Sequence, residues 1–226
     1  LIKNNDKMRF TKMHGIGNDY IYIDATKNVI TNPELLAKKL SDRHYGIGSD
    51  GLVLIMPSVI CDFRMRMFNP DGTEAEMCGN ASRCVAKYVY DNKMTDKTNF
   101  TLETGAGIKI LSIHKNPENI VDTVTIDMGT PILEPEKIPV LASEDMVLNK
   151  SLVVLDKKYK INCISMGNPH CVIFTEGIGL TDVTHLGPII ENHPMFPKKT
   201  NVEFAEVVDE HNIKMRVWER GTGETL

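Results

Sequence analysis

The chain has 226 residues, of which 42% are hydrophobic and 25% are charged, and its formal net charge is −4. A chain of this length forms one large domain or two of ordinary size, and no apolar run reaches the roughly 18 residues that would predict a membrane span. The slight negative charge and the lack of a Lys/Arg run argue against nucleic acid as the main partner.

The cysteines predict free thiols rather than disulfides or a metal site. Their number is odd, and the chain is too long to need disulfides for stability. No C-x-x-C pair occurs and the seven histidines are scattered, so we expect no metal. With no signal-peptide pattern at the start, these features predict a cytoplasmic protein. The five cysteines are Cys61, Cys78, Cys84, Cys163 and Cys171.

The first half of the chain predicts short strands around two helices. Asn32 as N-cap and Pro33 in the first turn predict the start of a helix that extends to residue 44. Period-two alternation and flanking turn residues predict the strands. These strands lie at 8–14, 19–25, 51–58, 62–69 and, as a pair, within 100–114. Residues 1–7 precede the first patterned segment, and we assign them no function.

The segment MCGNASRC, residues 77–84, places a cysteine immediately before the second predicted helix. A thiol at a helix start lies near unpaired backbone N–H groups and the positive end of the helix dipole, which favour its thiolate form. Taken alone, Cys78 is as easily explained as a buried structural residue, because free cysteine is among the most buried residue types. We expect the other four cysteines to lie in the core.

The second half repeats the first at a constant offset of 150 residues (168 minus 18, for the two asparagines that precede an alternating strand). Four matches in one order at one offset indicate a tandem duplication. They are Asn18 with Asn168, the helix at 33–44 with 183–194, 51–56 with 201–206, and 62–68 with 212–218.

The duplication predicts an α+β fold of two pseudo-symmetric domains, each with a mixed, barrel-like sheet around a central helix. The turn at 116–119 predicts the boundary, which gives domains 1–118 and 119–226. The same offset places the counterpart of Cys78 at position 228, beyond Leu226. We therefore expect the second domain to be incomplete in this sequence, and the chain to be inactive without the segment that follows.

The chain carries seven motifs in one order: KMHGIGNDY, RHYGIGSDGLVLI, FNPDGTEAEMCGNASRC, LETGAG, MGNPHCVIF, NVEFAE and WERGTGETL. This ordered series resembles the diaminopimelate epimerases, which interconvert LL- and meso-diaminopimelate. The series spans nearly all of residues 8–226, and it is far more specific than any one fragment. Proline racemases, which share the duplicated fold, are similar only in outline. In the epimerases a second catalytic cysteine follows the last motif, at the position that the internal repeat indicates.

The resemblance implies a cofactor-independent epimerisation of diaminopimelate in lysine and peptidoglycan-precursor biosynthesis, carried out by a homodimer. One cysteine, as thiolate, removes the α-proton, and the other, as thiol, protonates the opposite face. Two groups are needed because a single group that returned its own proton would restore the starting configuration. Without pyridoxal phosphate, hydrogen bonds to the α-carboxylate and the exclusion of water must stabilise the carbanion.

The resemblance also assigns roles to residues of this chain. Cys78 is one catalytic acid/base, and His170 assists catalysis. Glu219 is a catalytic residue that contacts the substrate ammonium, and Arg220 binds the distal carboxylate with its bidentate fork.

Further residues are expected to bind the substrate. The N–H groups of Gly79 and Asn80, at a helix N-terminus, suit the α-carboxylate. Neutral amides suit a ligand that carries two ammonium and two carboxylate groups, because each amide can donate to one and accept from the other. The family's binding asparagines match Asn18, Asn69, Asn168 and Asn201.

Two positions depart from the common family pattern. Gly51 replaces the Gln that many members carry, so we leave position 51 out of the site. Ala81 replaces the commoner Gly, which a helix tolerates.

Structural alternatives exist for several site residues when each is taken alone. Asn18 and Asn168 suit left-handed turns, His170 suits a satisfied core position, and adjacent Glu219 and Arg220 suit a surface ion pair.

Two alternative functions also remain open. One is a racemase of another amino acid on the same fold, for which Arg220 would have no distal carboxylate to bind. The other is a non-catalytic binding module, if 226 residues is the complete gene product. Sequencing the gene past the codon for Leu226 separates the second alternative from a longer enzyme.

Overall fold

The computed structural model describes residues 8–225, so the expectations for residues 1–7 and Leu226 lie outside the described part of the chain. The chain divides between Met128 and Gly129 into two compact units. This division lies after the turn at 116–119, because the strand that follows this turn, Val121–Asp127, pairs with Gly107–Lys115 of the first unit. Among the described residues, no helix is long and apolar enough to cross a membrane.

The first unit contains a mixed sheet and two helices. Its strands are β1 (Thr11–Gly15), β2 (Asn18–Asp24), β3 (Leu52–Met56), β4 (Phe63–Phe68), β5 (Glu74–Ala75), β6 (Asn99–Thr104), β7 (Gly107–Lys115) and β8 (Val121–Asp127), and its helices are α1 (Pro33–Ser41) and α2 (Gly79–Asp91). The strand order is β1-β2-β3-β4-β6-β7-β8, with β5 also paired to β4. The pairs β2/β3 and β4/β6 are parallel, and the others are antiparallel.

The sheet of the first unit curls around α2. This helix packs against β1 and β2 near one end of the sheet and against β7 and β8 at the other. On the α2 side, Tyr22 and Val53 pack with Val85 of the helix, whereas Ile21 and Leu52 face α1 on the opposite side. Because β2 and β3 are covered on both faces, they are continuous apolar runs rather than alternating ones. The predicted central helix is confirmed in this unit.

The second unit contains a six-stranded sheet and one α-helix within the described residues. Its strands are β9 (Lys150–Val154), β10 (Lys157–Ser165), β11 (Pro169–Phe174), β12 (Asn201–Val207), β13 (Ile213–Glu219) and β14 (Gly223–Thr225), its helix is α3 (Val183–Glu191), and short 3₁₀ turns lie at Pro135–Lys137 and Ile178–Leu180. The order is β14-β13-β12-β11-β10-β9, and β11/β12 is a parallel pair.

The predicted duplication is confirmed in detail. Helices α1 and α3 differ by 150 residues at both ends (183 minus 33 and 191 minus 41). The same ion pair also recurs between equivalent strands: Arg66 Nε donates to Glu74 Oε1 at 2.7 Å, and Arg216 Nε donates to Glu224 Oε1 at 2.7 Å. The offset places the counterpart of α2 outside the described residues.

The start of α1 differs from the expectation in its cap. Asn32 occupies the N-cap position, but its backbone is left-handed, with φ 55° and ψ 54°, and its side chain makes no capping hydrogen bond. Pro33 in the first turn therefore marks this helix start better than the asparagine does. The helix ends at Ser41, earlier than predicted, and the Asp42 carboxylate accepts hydrogen bonds from the following backbone N–H groups instead.

Candidate functional site

Cys78 is the N-cap residue of α2, as the sequence predicted. Its backbone is extended, with φ −143° and ψ 121°, and its side chain is half-buried. Its Sγ lies 3.5 Å from Oδ1 of Asn18, within reach of an S–H donor. The thiol therefore lies between the N-terminal turn of a helix and a buried asparagine.

The start of α2 is fixed by contacts on both sides. The N–H and Oγ of Ser82 both donate to the carbonyl of Cys78, at 2.9 Å each. A Cβ at Gly15 would lie 3.1 Å from atoms of Asn80, so glycine at the end of β1 lets this strand approach the helix start closely. The Oδ1 of Asn80 accepts a hydrogen bond from Arg83.

The first N–H groups of a helix have no acceptor within the helix itself. At the start of α2 these are the N–H groups of Gly79 and Asn80, and both residues are half-buried. A carboxylate is the natural ligand for such a helix end, since the helix dipole adds to the hydrogen bonds.

Asp50 orients the amide of Asn18. Its Oδ2 accepts from Asn18 Nδ2 at 3.2 Å and from the backbone N–H of Asp19 at 3.0 Å. Because the amide nitrogen is bound on this side, the amide oxygen is directed toward Cys78. Asp50 therefore acts on the thiol through the amide of Asn18.

Two cations hold Asp19 and Asp50 together. Arg43 Nη2 donates to Asp19 Oδ1 at 2.7 Å and to Asp50 Oδ1 at 2.8 Å, and Lys12 Nζ lies 2.9 Å from Asp19 Oδ2. Burial opposes ionisation of Asp19, but the hydrogen bonds and charges of Arg43 and Lys12 outweigh it and lower the pKa of Asp19 to about 2. The carboxylates beside Asn18 are thus held in place by compensating charge.

Asn69 lies in the turn between β4 and β5. Its Nδ2 donates to Thr73 Oγ1 at 3.0 Å, and its backbone N–H donates to the carbonyl of Thr73 at 2.8 Å. These bonds belong to the turn, so the structure assigns Asn69 a local role and leaves its predicted contact with a substrate as an expectation.

In the second unit, Asn168, His170 and Glu203 form a connected chain of side chains. His170 Nδ1 lies 2.6 Å from Glu203 Oε1, and His170 Nε2 lies 2.9 Å from Asn168 Oδ1. His170 is on β11 and Glu203 on the neighbouring parallel strand β12. Two predicted residues are therefore in direct contact, and a third residue, which the sequence analysis did not single out, completes the chain.

Asn201 and Arg220 are also brought together. Asn201 Oδ1 accepts from the backbone N–H of Arg220 at 2.9 Å, and Asn201 Nδ2 donates to the carbonyl of Pro169 at 2.8 Å. The guanidinium of Arg220 donates to the carbonyl of Lys198 at 3.3 Å. Both oxygen and nitrogen of the Asn201 amide are thus engaged by the backbone.

A buried glutamate of α3 anchors the segment that carries Glu219 and Arg220. Glu191 accepts from Trp218 Nε1 at 2.7 Å and from the N–H of Gly221 at 3.1 Å, on either side of these two residues. The end of β13 is therefore fixed through side-chain contacts from a helix, as well as by its pairing with β14.

The other cysteines differ from Cys78 in their surroundings. Cys84, Cys163 and Cys171 are buried, as predicted, and burial raises the pKa of the Cys84 thiol. The prediction that Cys61 belongs to the core is wrong: it is half-buried in the loop between β3 and β4, because the apolar strand ends before it.

Glycine at position 51 is explained by the backbone. Gly51 has φ 152°, and a Cβ there would lie 2.2 Å from the carbonyl oxygen of Phe68. A side chain such as Gln would require the strand to move, so this chain has no contact from position 51 to contribute.

Sequence reasoning missed Asp50, Glu203 and Glu191, although the first two were visible in part. Asp50 lies in the GIGSDG motif, and Glu203 interrupts the apolar strand NVEFAE. An acidic residue inside a buried strand is uncommon unless it is paired, and this anomaly was the available signal.

Solved structures of known proteins share this architecture. A hydroxyproline epimerase from Agrobacterium vitis matches 96% of this chain and 70% of its own, with a TM-score of 0.69 and 14% identity. A probable proline racemase from Agrobacterium radiobacter K84 matches 97% of this chain and 72% of its own, with a TM-score of 0.72 and 15% identity. The chain, with its two similar units, thus has the fold of the proline racemase-like proteins.

The chain belongs to the diaminopimelate epimerase family, whose sequence model matches residues 10–134 and 162–226. Relatives named diaminopimelate epimerase are 56% identical in Methanococcus maripaludis and 54% identical in Acetivibrio thermocellus. Each alignment covers 97% of this chain, and the two cover 79% and 78% of the respective relatives. The family resemblance that the ordered motifs predicted is confirmed.

Proposed function

We propose that the protein interconverts LL- and meso-diaminopimelate by proton transfer at the α-carbon. The observation that carries this proposal is the position of Cys78, a thiol at the N-cap of α2 with its Sγ 3.5 Å from Asn18 Oδ1. The family of the chain supplies the substrate, and the site supplies a group that can exchange a proton beside an anion-binding helix end.

Cys78 acts as acid or base in this proposal. As a thiolate it takes the α-proton, and as a thiol it returns a proton to the same face in the reverse direction. The amide oxygen of Asn18 accepts a hydrogen bond from the S–H form of Cys78, and this bond fixes the orientation of the thiol. Inversion needs a second group for the opposite face, and we assign it to the repeat counterpart of Cys78, position 228 in this numbering.

Hydrogen bonds to the α-carboxylate stabilise the negative charge that develops when the proton leaves. We assign this task to the first N–H groups of α2, at Gly79 and Asn80. The rest of the substrate carries a second carboxylate and ammonium groups: a bidentate arginine suits a carboxylate, and acidic and amide side chains suit an ammonium. We assign these tasks to Arg220, Glu219, Asn69, Asn168 and Asn201, with His170 as an aid to catalysis.

The test uses the natural gene product that contains this sequence, incubated with LL-diaminopimelate in deuterium oxide. The proposal expects α-deuterium uptake and formation of the meso isomer, both followed by NMR. Cys78→Ala should abolish formation of the meso isomer, whereas Cys61→Ala, which alters a half-buried loop cysteine, should retain it. Absence of uptake by the wild-type protein, or uptake with proline and none with diaminopimelate, would overturn the proposal.

A further inference from the structure

Glu203 is a buried acid in the middle of β12. Its side chain is 8% exposed, and its Oε1 lies 2.6 Å from His170 Nδ1. The other oxygen, Oε2, is buried and has no hydrogen-bond partner among the described residues. A buried carboxylate is costly unless it is hydrogen-bonded or paired, so its compensation falls on the ring of His170.

The internal repeat shows that the fold does not require this acid. The counterpart of Glu203 in the first unit is Val53, and that of His170 is Tyr20, each 150 residues earlier. Both are buried, at 0% and 5% exposure. The same place in the repeat is therefore filled by apolar packing in one unit and by a carboxylate–imidazole pair in the other, which indicates a role other than stability.

The carboxylate also determines which ring nitrogen carries a proton. A carboxylate accepts only, so a 2.6 Å contact requires Nδ1 to be the donor. This leaves Nε2, 2.9 Å from Asn168 Oδ1, as an acceptor, so a hydrogen bond here requires the Asn168 amide to be turned by 180° so that its Nδ2 donates. A ring with its proton on Nε2 alone would present a lone pair to the carboxylate and lose this hydrogen bond.

We propose that Glu203 is a positioning residue that fixes His170 in the Nδ1–H form and thereby directs Nε2 to Asn168. Glu203 acts through the ring and has no part in the proton transfer itself. Its field also reaches the neighbouring strand position: the hydrogen bond with Cys163, burial and the carboxylate of Glu203 together raise the pKa of the Cys171 thiol. The position of the proton on the His170 ring does not depend on the proposed function, whereas its effect on turnover rests on the proposed epimerase function.

The direct test is a long-range ¹H–¹⁵N correlation spectrum of the histidine rings, with the His170 signals assigned from His170→Gln. The wild-type protein should show a protonated Nδ1, and Glu203→Val should populate the Nε2–H tautomer. Val is the residue that the first unit carries at this place, which favours folding of the variant. Glu203→Gln, which keeps an acceptor oxygen, should retain the Nδ1–H form. Glu206→Gln, on the same strand, is the matched control and should leave the His170 signals unchanged.

Kinetics complete the test. Glu203→Val should lower kcat about tenfold or more, because a misplaced ring at His170 costs reaction rate, and Glu203→Gln should lower it less. An unprotonated Nδ1 in the wild type, or unchanged ring signals in Glu203→Val, would overturn the assignment of the ring. A changed tautomer with wild-type kcat would overturn its consequence for turnover. An inactive wild-type protein with a protonated Nδ1 would instead contradict the proposed function and support the positioning of the ring.

Discussion

Asp50 is the residue through which the first unit controls the amide next to the thiol. It binds the nitrogen of Asn18 at 3.2 Å and leaves the oxygen for Cys78. In the second unit, the amide of Asn168, the counterpart of Asn18, is in contact with His170, whose Nε2 lies 2.9 Å from Asn168 Oδ1. Equivalent asparagines are thus oriented by an acid in one unit and by an imidazole in the other.

Neutralising Asp50 should therefore impair catalysis without touching the thiol. Asp50→Asn loses the ion pair with Arg43 and can present an amide N–H where Asn18 needs an acceptor. We expect kcat to fall by about tenfold, because even a small misplacement of a positioned group lowers the reaction rate. Steady-state rates of Asp50→Asn and of Asp24→Asn, at the end of β2, would be compared. Equal rates for both variants would contradict this role.

Asp19 should make the unfolding free energy of the protein depend on pH in the acid range. Its pKa is lowered from 3.8 to about 2 by Arg43 and Lys12 in spite of its burial. The ionised form therefore stabilises the folded state fully above about pH 4, and this contribution is lost as the pH falls toward 2. Urea unfolding at pH values across this window should show a steeper loss of unfolding free energy for the wild type than for Asp19→Asn. A parallel loss in both proteins would show that Asp19 contributes nothing.

At the scale of elements, α3 packs closely on β13. A Cβ at Gly187 would lie 2.4 Å from Cγ of Trp218, the single tryptophan of the chain. The indole is also bound by Glu191 at 2.7 Å, so it cannot move without breaking that hydrogen bond. The close approach of helix and strand thus depends on glycine.

Gly187→Ala should overpack this contact and destabilise the second unit by about 1–3 kcal/mol. Tryptophan fluorescence during urea unfolding measures the change, because Trp218 is itself displaced. Gly179→Ala is the control, since a Cβ there meets nothing within 4 Å. The packing argument fails if the two variants unfold at the same urea concentration.

The sequence predicted the helices and strands well, but it predicted the hydrogen bonds between side chains poorly, and the reason is physical. The helix at 33, the thiol before α2 and the repeat follow from local periodicity and spacing. Both of the missed acids that orient a neighbour act across a pair of parallel strands instead. Asp50, just before β3, binds Asn18 at the start of β2, and Glu203 on β12 binds His170 on β11. Parallel pairing joins strands through a crossover, and no local pattern states which residues will meet.

At the scale of the whole molecule, the two units share a common frame of helices and strands and differ in the side chains at equivalent positions. The repeated Arg–Glu ion pair and the equivalent helices form the common frame. Acids have been placed at positions where the other copy needs none: Glu203 corresponds to Val53, and Glu191 corresponds to Ser41. The fold of one unit therefore accommodates apolar or small residues at the places where the other carries these acids.

The double variant His170→Tyr with Glu203→Val gives the second unit the residue pair of the first. A buried polar pair is often replaced by apolar residues without loss of stability, so we expect an unfolding free energy equal to or above that of the wild type, with epimerase activity lost. Urea unfolding followed by Trp218 fluorescence and the deuterium assay measure the two quantities. A variant that is both destabilised and active would contradict the separation of stability from function.

The parallel pairing of β2 with β3 and of β11 with β12 also has a consequence for folding kinetics. Each pair closes only after a long crossover that includes α1 or α3 has been ordered, and such non-local contacts form slowly because the loop entropy is lost before they contribute. The hydrogen bonds from Asp50 to Asn18 and from Glu203 to His170 span these same closures. During refolding, activity should therefore return with the slow phase in which the crossovers close, after the local hairpins have formed.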